Sequence, residues 1–433
     1  MKSPYHLNYP LVLTILVLSI FYWTGVASVP FHPDEATQIF MSADFQEFFQ
    51  TPSALFWQPN QMDQPRQNYR LLDAPLTRNL IGLGLQITER QPISTDWDWS
   101  ATWEQNLSSG ALPGTDLLWI SRLSVCFLFP LSLLFIYSIG TRLLNPLAGW
   151  LALILFATNN LILLHTRRAM AESALAFCVL LIVWLSLRKQ SIPWLYGIAA
   201  AFAVSAKQSA VGLAAILLAA IPISFVPFWP GLKRTGLRVL IFLLTAVTVC
   251  WLLNPFLWQY PVQAFTTSIY ARNELVNRQT AEFAAAQPDL QFLTIGERSV
   301  VLLTNLFFSP LQFEEVGNYT KPLSPSRTAY QRNLLNTWNR SLWIGSLFLF
   351  LSLLGMLIGI SKSLHRKNEP HPILFLMIMT VTQFMVLAIW VPLPFQRYTI
   401  PLVPFACIWE AYCLGSIIQS AKNKTPRFFR QVE

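Results

Sequence analysis

The chain has 433 residues, of which 54% are hydrophobic and 12% charged, and its formal net charge is +9. Soluble domains carry roughly 25% charged residues, so a soluble fold of this size would be left with large apolar patches and is excluded. The apolar residues come in blocks of about 20, long enough to cross a hydrocarbon core of roughly 30 Å. The Lys and Arg residues gather at the ends of these blocks and form no nucleic-acid module, so no nucleic-acid partner is expected.

Ten spans are expected (range 10–12), at residues 10–29, 118–140, 147–165, 170–187, 193–206, 209–226, 239–258, 341–361, 372–391 and 399–419. They make the chain an all-α integral membrane protein, a single polytopic domain over 1–433. With the N-terminus inside, the cytoplasmic segments hold 14 basic residues: Lys2, Arg142, Arg188, Lys189, Lys233, Arg234, Arg238, Lys362, Arg366, Lys367 and four beyond residue 420. Only two acids, Glu369 and Glu433, oppose them. The other 16 basic residues share the outside with 19 acids, in long loops that the positive-inside rule counts little. The reading is a multi-pass protein of a bacterial inner membrane, with its long loops on the periplasmic side. All five cysteines lie inside apolar blocks, so no disulfide framework is offered to an oxidising compartment.

The first span could instead be a cleaved leader, since Gly25-Val26-Ala27-Ser28 is rich in small residues. Against that, Lys2 is the only basic residue before it, and Pro30 leads at once into the first external loop, 30–117. His32-Pro33-Asp34-Glu35 opens this loop. Pro33 suits a first helical turn, and two acids there complement the helix dipole. A carboxylate held at the membrane surface is also placed to deprotonate an acceptor. Residues 36–50 and 75–90 read as amphipathic helices lying along the surface, the second with Leu76, Leu80, Leu83 and Ile87 on one face. Trp97, Trp99 and Trp103 suit an interfacial aromatic belt. Asp96-Trp97-Asp98 has the form of a metal-holding aspartate pair, but the flanking tryptophans explain the same stretch as an anchor. No cofactor is fixed by the sequence, and a divalent metal on this pair is the one left open.

Further along, Arg168 and Glu172 are four apart, and on one helix they would share a face and pair. Arg167 and Arg168 could equally anchor lipid headgroups. The stretch 193–226, as one helix of about 51 Å, is too long for one span. Two short helices are expected, with Lys207 at the turn between them, where it could also snorkel. The second external loop runs over 259–340. Its segment 292–309 is apolar but carries Glu297 and Arg298, which reads as interfacial. Near the end, Arg397 and Tyr398 could form an interfacial anchor. Glu410 lies within the last span, where a carboxylate is expensive and so often functional.

Several segments taken in order resemble the GT-C superfamily of glycosyltransferases, in the branch of protein O-mannosyltransferases and the lipid A aminoarabinose transferase. They are Asp34-Glu35 after a first span, Leu72-Asp73-Ala74-Pro75-Leu76, and the run from His165 to Glu172. Gly197 to Lys207, Asn254-Pro255-Phe256, and Arg397-Tyr398 with Pro401 and Pro404 complete the series. Asp73 and Ala74 depart from the family's pattern of a basic residue and a first proline. The resemblance implies a GT-C type fold and an inverting transfer of a sugar from a polyprenyl-phosphate carrier to a glycan, lipid or protein acceptor. It assigns catalysis to Asp34, the general base, and Glu35, which would orient the acceptor or the sugar. It gives substrate binding to Arg168, Glu172, Lys207, Arg397 and Tyr398, and no metal ligand. Independently of the resemblance, the topology puts Asp34, Glu35, Arg168, Glu172, Lys207 and Arg397 at one face. A transporter or flippase of lipid-linked sugars shares the apolar bulk, but would carry charges at mid-membrane depth and broken helices in paired halves. A non-catalytic scaffold gives no reason for acids and cations on the same side.

Overall fold

The computed structural model describes residues 8–424 apart from 62–63, 189–191, 224–231, 287, 289–293, 316–318 and 365–371. Among these there are twenty α-helices and no strand. Several groups used above for orientation, including Lys2, Lys189, Arg366, Lys367, Glu369 and Glu433, lie outside the described residues.

The first apolar helix is α1 (Tyr9–Thr24). A loop region follows with α2 (Pro33–Met41), α3 (Ala43–Gln50), α4 (Pro65–Leu72), α5 (Leu76–Ile87) and α6 (Trp103–Ser108). Next come α7 (Thr115–Cys126), α8 (Phe129–Leu143), α9 (Pro146–Ala157), α10 (Asn160–His165), α11 (Ala171–Ser186), α12 (Pro193–Ala206), α13 (Val211–Ile223) and α14 (Leu232–Leu253). A second loop region holds α15 (Pro261–Ala286), α16 (Ile295–Phe307) and α17 (Thr320–Arg332). The chain closes with α18 (Leu342–Leu364), α19 (Pro372–Trp390) and α20 (Val403–Lys424).

Among the described residues six segments are long and apolar enough to cross a membrane: Tyr9–Ser28, Thr115–Leu143, Arg234–Leu253, Leu342–Leu364, Pro372–Trp390 and Gln396–Asn423. Four shorter apolar helices, Pro146–Ala157, Ala171–Ser186, Pro193–Ala206 and Gln208–Ala220, fall on the remaining expected spans. The expected span 147–165 is therefore not continuous. Asn159 accepts from the N–H groups of Leu161 and Ile162 and starts a new helix. The hairpin at 193–226 is two helices, with Lys207 in extended backbone between α12 and the turn that leads into α13. Proline begins α2, α4, α9, α12, α15 and α19, where its missing N–H costs nothing.

α11 lies at the centre of the bundle, with Leu175, Cys178, Val179 and Ile182 sealed among α8, α12 and α20. Where α18 crosses α20, a side-chain carbon on Gly355 would collide with the Trp409 carbonyl, so close backbone approach there requires glycine. By contrast α1, α14, α18 and α19 turn apolar residues such as Leu13, Val247, Leu353 and Val381 outward, as a lipid-facing surface does. The cysteines are free, four of them buried and Cys250 partly so.

Both loop regions meet at one end of the bundle. Trp57 N–H donates to the Phe256 carbonyl at 3.2 Å, and Ser268 Oγ donates to the Leu71 carbonyl at 2.5 Å. A small aromatic core of Phe31, Trp97, Trp103 and Tyr319 joins the start of the first loop to the second. Trp97 is thus buried in protein and corrects the expectation of an interfacial anchor; its neighbour Trp99 is the exposed one. The expected surface helix 36–50 breaks at Ser42 into α2 and α3.

Candidate active site

The site begins with the capping of α2. His32 is the N-cap residue: its Nδ1 accepts the Asp34 N–H at 3.1 Å, and its own N–H donates to Glu35 Oε1 at 3.0 Å. Because Nδ1 accepts, the neutral ring carries its proton on Nε2, which lies 3.8 Å from Glu315 Oε2. Burial pushes His32 well below the ordinary imidazole range, so it is neutral at pH 7. This capping box turns the two neighbouring carboxylates in different directions.

Glu35 points inward. It is fully buried and meets Arg122 of α7 through two bonds of 2.7 Å, while Arg122 Nη1 also donates to the Val26 and Val29 carbonyls. The N–H of Ala169 adds a further bond at 2.9 Å. The end of α1, the first turn of α2, α7 and the 166–170 turn are all tied through this one carboxylate.

Asp34 points to the open side, where its side chain keeps 33% of its exposure. Burial alone would raise its carboxyl, but Arg397 against it, with help from Lys207, overcomes this and holds it at about 2. Arg397 Nη1 donates to Asp34 Oδ2, and its Nε lies 2.7 Å from Glu315 Oε1. For Glu315 burial outweighs Arg397, and nearby Asp34 and Glu172 add to it; its carboxyl is pushed up to about 7.

Lys207 completes the arrangement. Its Nζ is 2.7 Å from Glu172 Oε1 in the first turn of α11, and 4.9 Å from the centre of the Tyr398 ring. Arg397 packs against the same ring at 5.5 Å. Both cations thus pack against one aromatic ring, which helps to position them. Asp34, Glu172, Glu315, Lys207, Arg397 and Tyr398 thus converge from α2, α11, the turn before α13, the second loop and the segment before α20.

The structure brings together five of the seven expected site residues: Asp34, Glu172, Lys207, Arg397 and Tyr398. Glu35 and Arg168 are placed elsewhere. The expected Arg168–Glu172 pair is corrected, because Met170 is extended and α11 begins only at Ala171, so the two do not share a helix. Arg168 is instead buried, donating to the carbonyls of Pro30 at 3.2 Å and Phe313 at 3.0 Å, and so clamps the two loops together. Arg167 donates to the carbonyls of Tyr22 and Phe21, in space left by Gly25. Neither arginine reaches a lipid surface.

Asp96 and Asp98 also diverge. Asp96 accepts from the Tyr69 hydroxyl at 2.5 Å, whereas the exposed Asp98 caps Ser100. Among the described residues no group of three His, Cys, Asp or Glu side chains is arranged to hold a metal. Burial raises the carboxyl of Asp73, which faces Arg272 at 4.0 Å beside the cluster. Sequence reasoning gave no part to Glu315 or Arg122. Glu410 is buried in α20, 3.3 Å from the Ser352 hydroxyl, and is no part of the cluster.

No family model matches the chain, and no curated protein matches it. Its fold is found among solved structures. The oligosaccharyltransferase of Archaeoglobus fulgidus in its apo form superposes with a TM-score of 0.53 at 12% sequence identity, covering 97% of this chain and 52% of that one. The structure of the same archaeal protein, AglB, with an inhibitory peptide and a dolichol-phosphate gives 0.47 at 12% identity, over 97% and 51%. This chain spans about half the length of the proteins it matches. The likeness shows the fold: an all-α membrane architecture shared with that oligosaccharyltransferase.

Proposed function

We propose that this protein is an inverting glycosyltransferase that takes a sugar from a polyprenyl-phosphate carrier and passes it to an acceptor hydroxyl. The observation that carries this reading is the pairing, in one cluster, of a partly exposed Asp34 with two cations held on the Tyr398 ring. The fold shared with an oligosaccharyltransferase supports it. Asp34 takes the proton of the acceptor hydroxyl, whose oxygen forms the new bond to the anomeric carbon. The bond from that carbon to the phosphate oxygen breaks, and polyprenyl phosphate leaves with the electron pair. Lys207 and Arg397 stabilise the charge that gathers on it.

At a carboxyl held near 2, Asp34 is a weak base while Arg397 rests on it. A donor phosphate that draws Arg397 away removes that brake, so basicity rises only when donor is bound. Glu35 acts as a positioning residue that fixes the turn carrying Asp34. We place the cluster on the periplasmic side of a bacterial inner membrane, on the charge asymmetry of the sequence. The order of motifs favours the O-mannosyltransferase and aminoarabinose transferase branch, with a glycan, lipid or protein as acceptor. No metal step is assigned, since Asp96 and Asp98 diverge, and transfer is expected to survive a chelator.

The decisive experiment supplies purified protein with nucleotide sugar or with polyprenyl-phosphate sugar. The acceptor is a membrane extract stripped of endogenous polyprenyl phosphates. Transfer is expected from the lipid-linked donor alone. Transfer from the nucleotide sugar, with no gain on adding the lipid-linked form, overturns the reading.

A further inference from the structure

A cavity of about 160 Å³ lies among α3, α4, α5 and the end of α14. Its wall is apolar: Phe45, Phe48 and Phe49 of α3, Leu252 and Leu253 of α14, and Phe256 just beyond. Phe49 and Leu252 are exposed, so the wall continues to the surface where the apolar face of α14 ends. An apolar cavity of roughly 150 Å³ takes a benzene-sized group, which corresponds to a short stretch of a lipid chain.

The polar end of the cavity holds Arg70 and Arg78 beside Asp44, with Arg66 and Glu47 next to them and Asp73 in the field of Arg78. Arg70 is fully engaged, with Asp44 at 2.7 Å, Glu47 at 3.0 Å and the Ala54 carbonyl at 2.9 Å. Arg66 reaches Glu47 at 2.8 Å. Arg78 is the remainder. It is 3% exposed, its Nε is 3.5 Å from Asp44, and neither Nε nor Nη1 makes a hydrogen bond. A buried guanidinium short of acceptors is costly, and its donor fork matches phosphate oxygens.

We propose that this cavity binds an anionic phosphate-headed lipid from the adjoining leaflet, with a phosphate oxygen on Arg78 and the first methylenes among Phe45, Phe48 and Leu252. The site is separate from the Lys207–Arg397 cluster and does not depend on the glycosyltransferase reading. Asp73 stands between them, in the field of both Arg78 and Asp34.

Native mass spectrometry of the purified full chain tests it, titrating dioleoyl phosphatidylglycerol, uncharged dioleoylglycerol and inorganic phosphate. The phosphatidylglycerol is expected to bind at least about tenfold tighter than dioleoylglycerol. Arg78→Gln should cut that affinity by about 10- to 150-fold, the worth of a charge-assisted contact. Arg78→Lys, which keeps the charge but not the fork, should fall between wild type and Arg78→Gln, and Phe49→Ser, at an exposed position that spares folding, should weaken it at least threefold. Lys207→Ala should keep the preference. The proposal is overturned if phosphatidylglycerol and dioleoylglycerol bind alike, or if inorganic phosphate binds as tightly as the lipid. Loss of the preference in Lys207→Ala protein likewise overturns it. If Arg78→Gln does not fold, an unchanged phosphatidylglycerol affinity in Phe49→Ser protein is enough to reject the site.

Discussion

Asp34 and Glu35 are consecutive residues on one helical turn, and their carboxylates serve two opposite regions. Around Glu35 the protein is closed: the carboxylate is fully buried, matched by the Arg122 fork and by two backbone N–H groups. Around Asp34 it is open: the carboxylate keeps 33% of its exposure and shares Arg397 with Glu315. A satisfied buried pair fixes geometry and resists exchange of partners. A partly exposed pair whose cation has two suitors can give that cation to a ligand. One region holds the turn in place, and the other is left free to exchange partners.

The largest effect should come from Asp34→Asn, which keeps size and capping but removes the base. Transfer is expected to fall by ~10²–10⁴-fold, with a drop in melting temperature in detergent smaller than that of Glu35→Gln. Retention of more than about a tenth of wild-type turnover rejects Asp34 as the base. Glu35→Gln should do the reverse. It leaves the Arg122 charge buried without its partner, a loss of about 3–5 kcal/mol. The purified protein should melt earlier, and whatever fraction remains folded should retain transfer. A variant with unchanged melting and lost transfer would instead make Glu35 a catalytic residue and erase the contrast.

Lys207→Ala belongs to the open side. Losing a charge-assisted phosphate contact should weaken use of the lipid donor by about 10- to 150-fold. Lys207 also covers Glu172, whose second oxygen is buried without a partner. The measurement is therefore a double-mutant cycle with Glu172→Gln, which removes the stranded charge. If Glu172→Gln restores Lys207→Ala to wild-type transfer, the lysine serves only the fold.

The same two regions explain what the sequence disclosed. Apolar blocks of about 20 residues and the position of Lys207 between two short helices were legible, because length and charge alone constrain them. Asp34, Lys207 and Arg397 were legible as one face for the same reason. Arg122 was not: it sits inside an apolar stretch, and only the fold shows that Glu35 comes to meet it. Arg168 misled because a spacing of four implies a shared face only inside a helix, and the chain is extended at Met170. Glu315 follows Glu314 in a loop with no periodicity, so nothing local marked it. Its importance arises from where the second loop folds back on α2.

Glu315 supplies the finest test. Burial, ahead of the opposing pull of Arg397, pushes its carboxyl up to about 7 from an ordinary 4.5. The raised value means that ionisation in the fold is disfavoured. Its contribution to stability is complete below about 4.5 and is lost as pH climbs through about 7. Function should follow the same window. Below about 7 Glu315 is neutral and holds Arg397 weakly, so the guanidinium is available to the donor phosphate. Above it, two carboxylates compete with that phosphate. A charged hydrogen bond exceeds a neutral one by about 1 kcal/mol, so kcat/KM for the lipid donor should fall about fivefold as pH rises from 6 to 8. Glu315→Gln is neutral at every pH and should flatten that fall while leaving the low-pH rate intact. Asp34, held at about 2, is ionised throughout and adds no slope of its own. If the Gln variant keeps the wild-type pH dependence, Arg397 is not shared in the working protein. The open region would then be as fixed as the closed one.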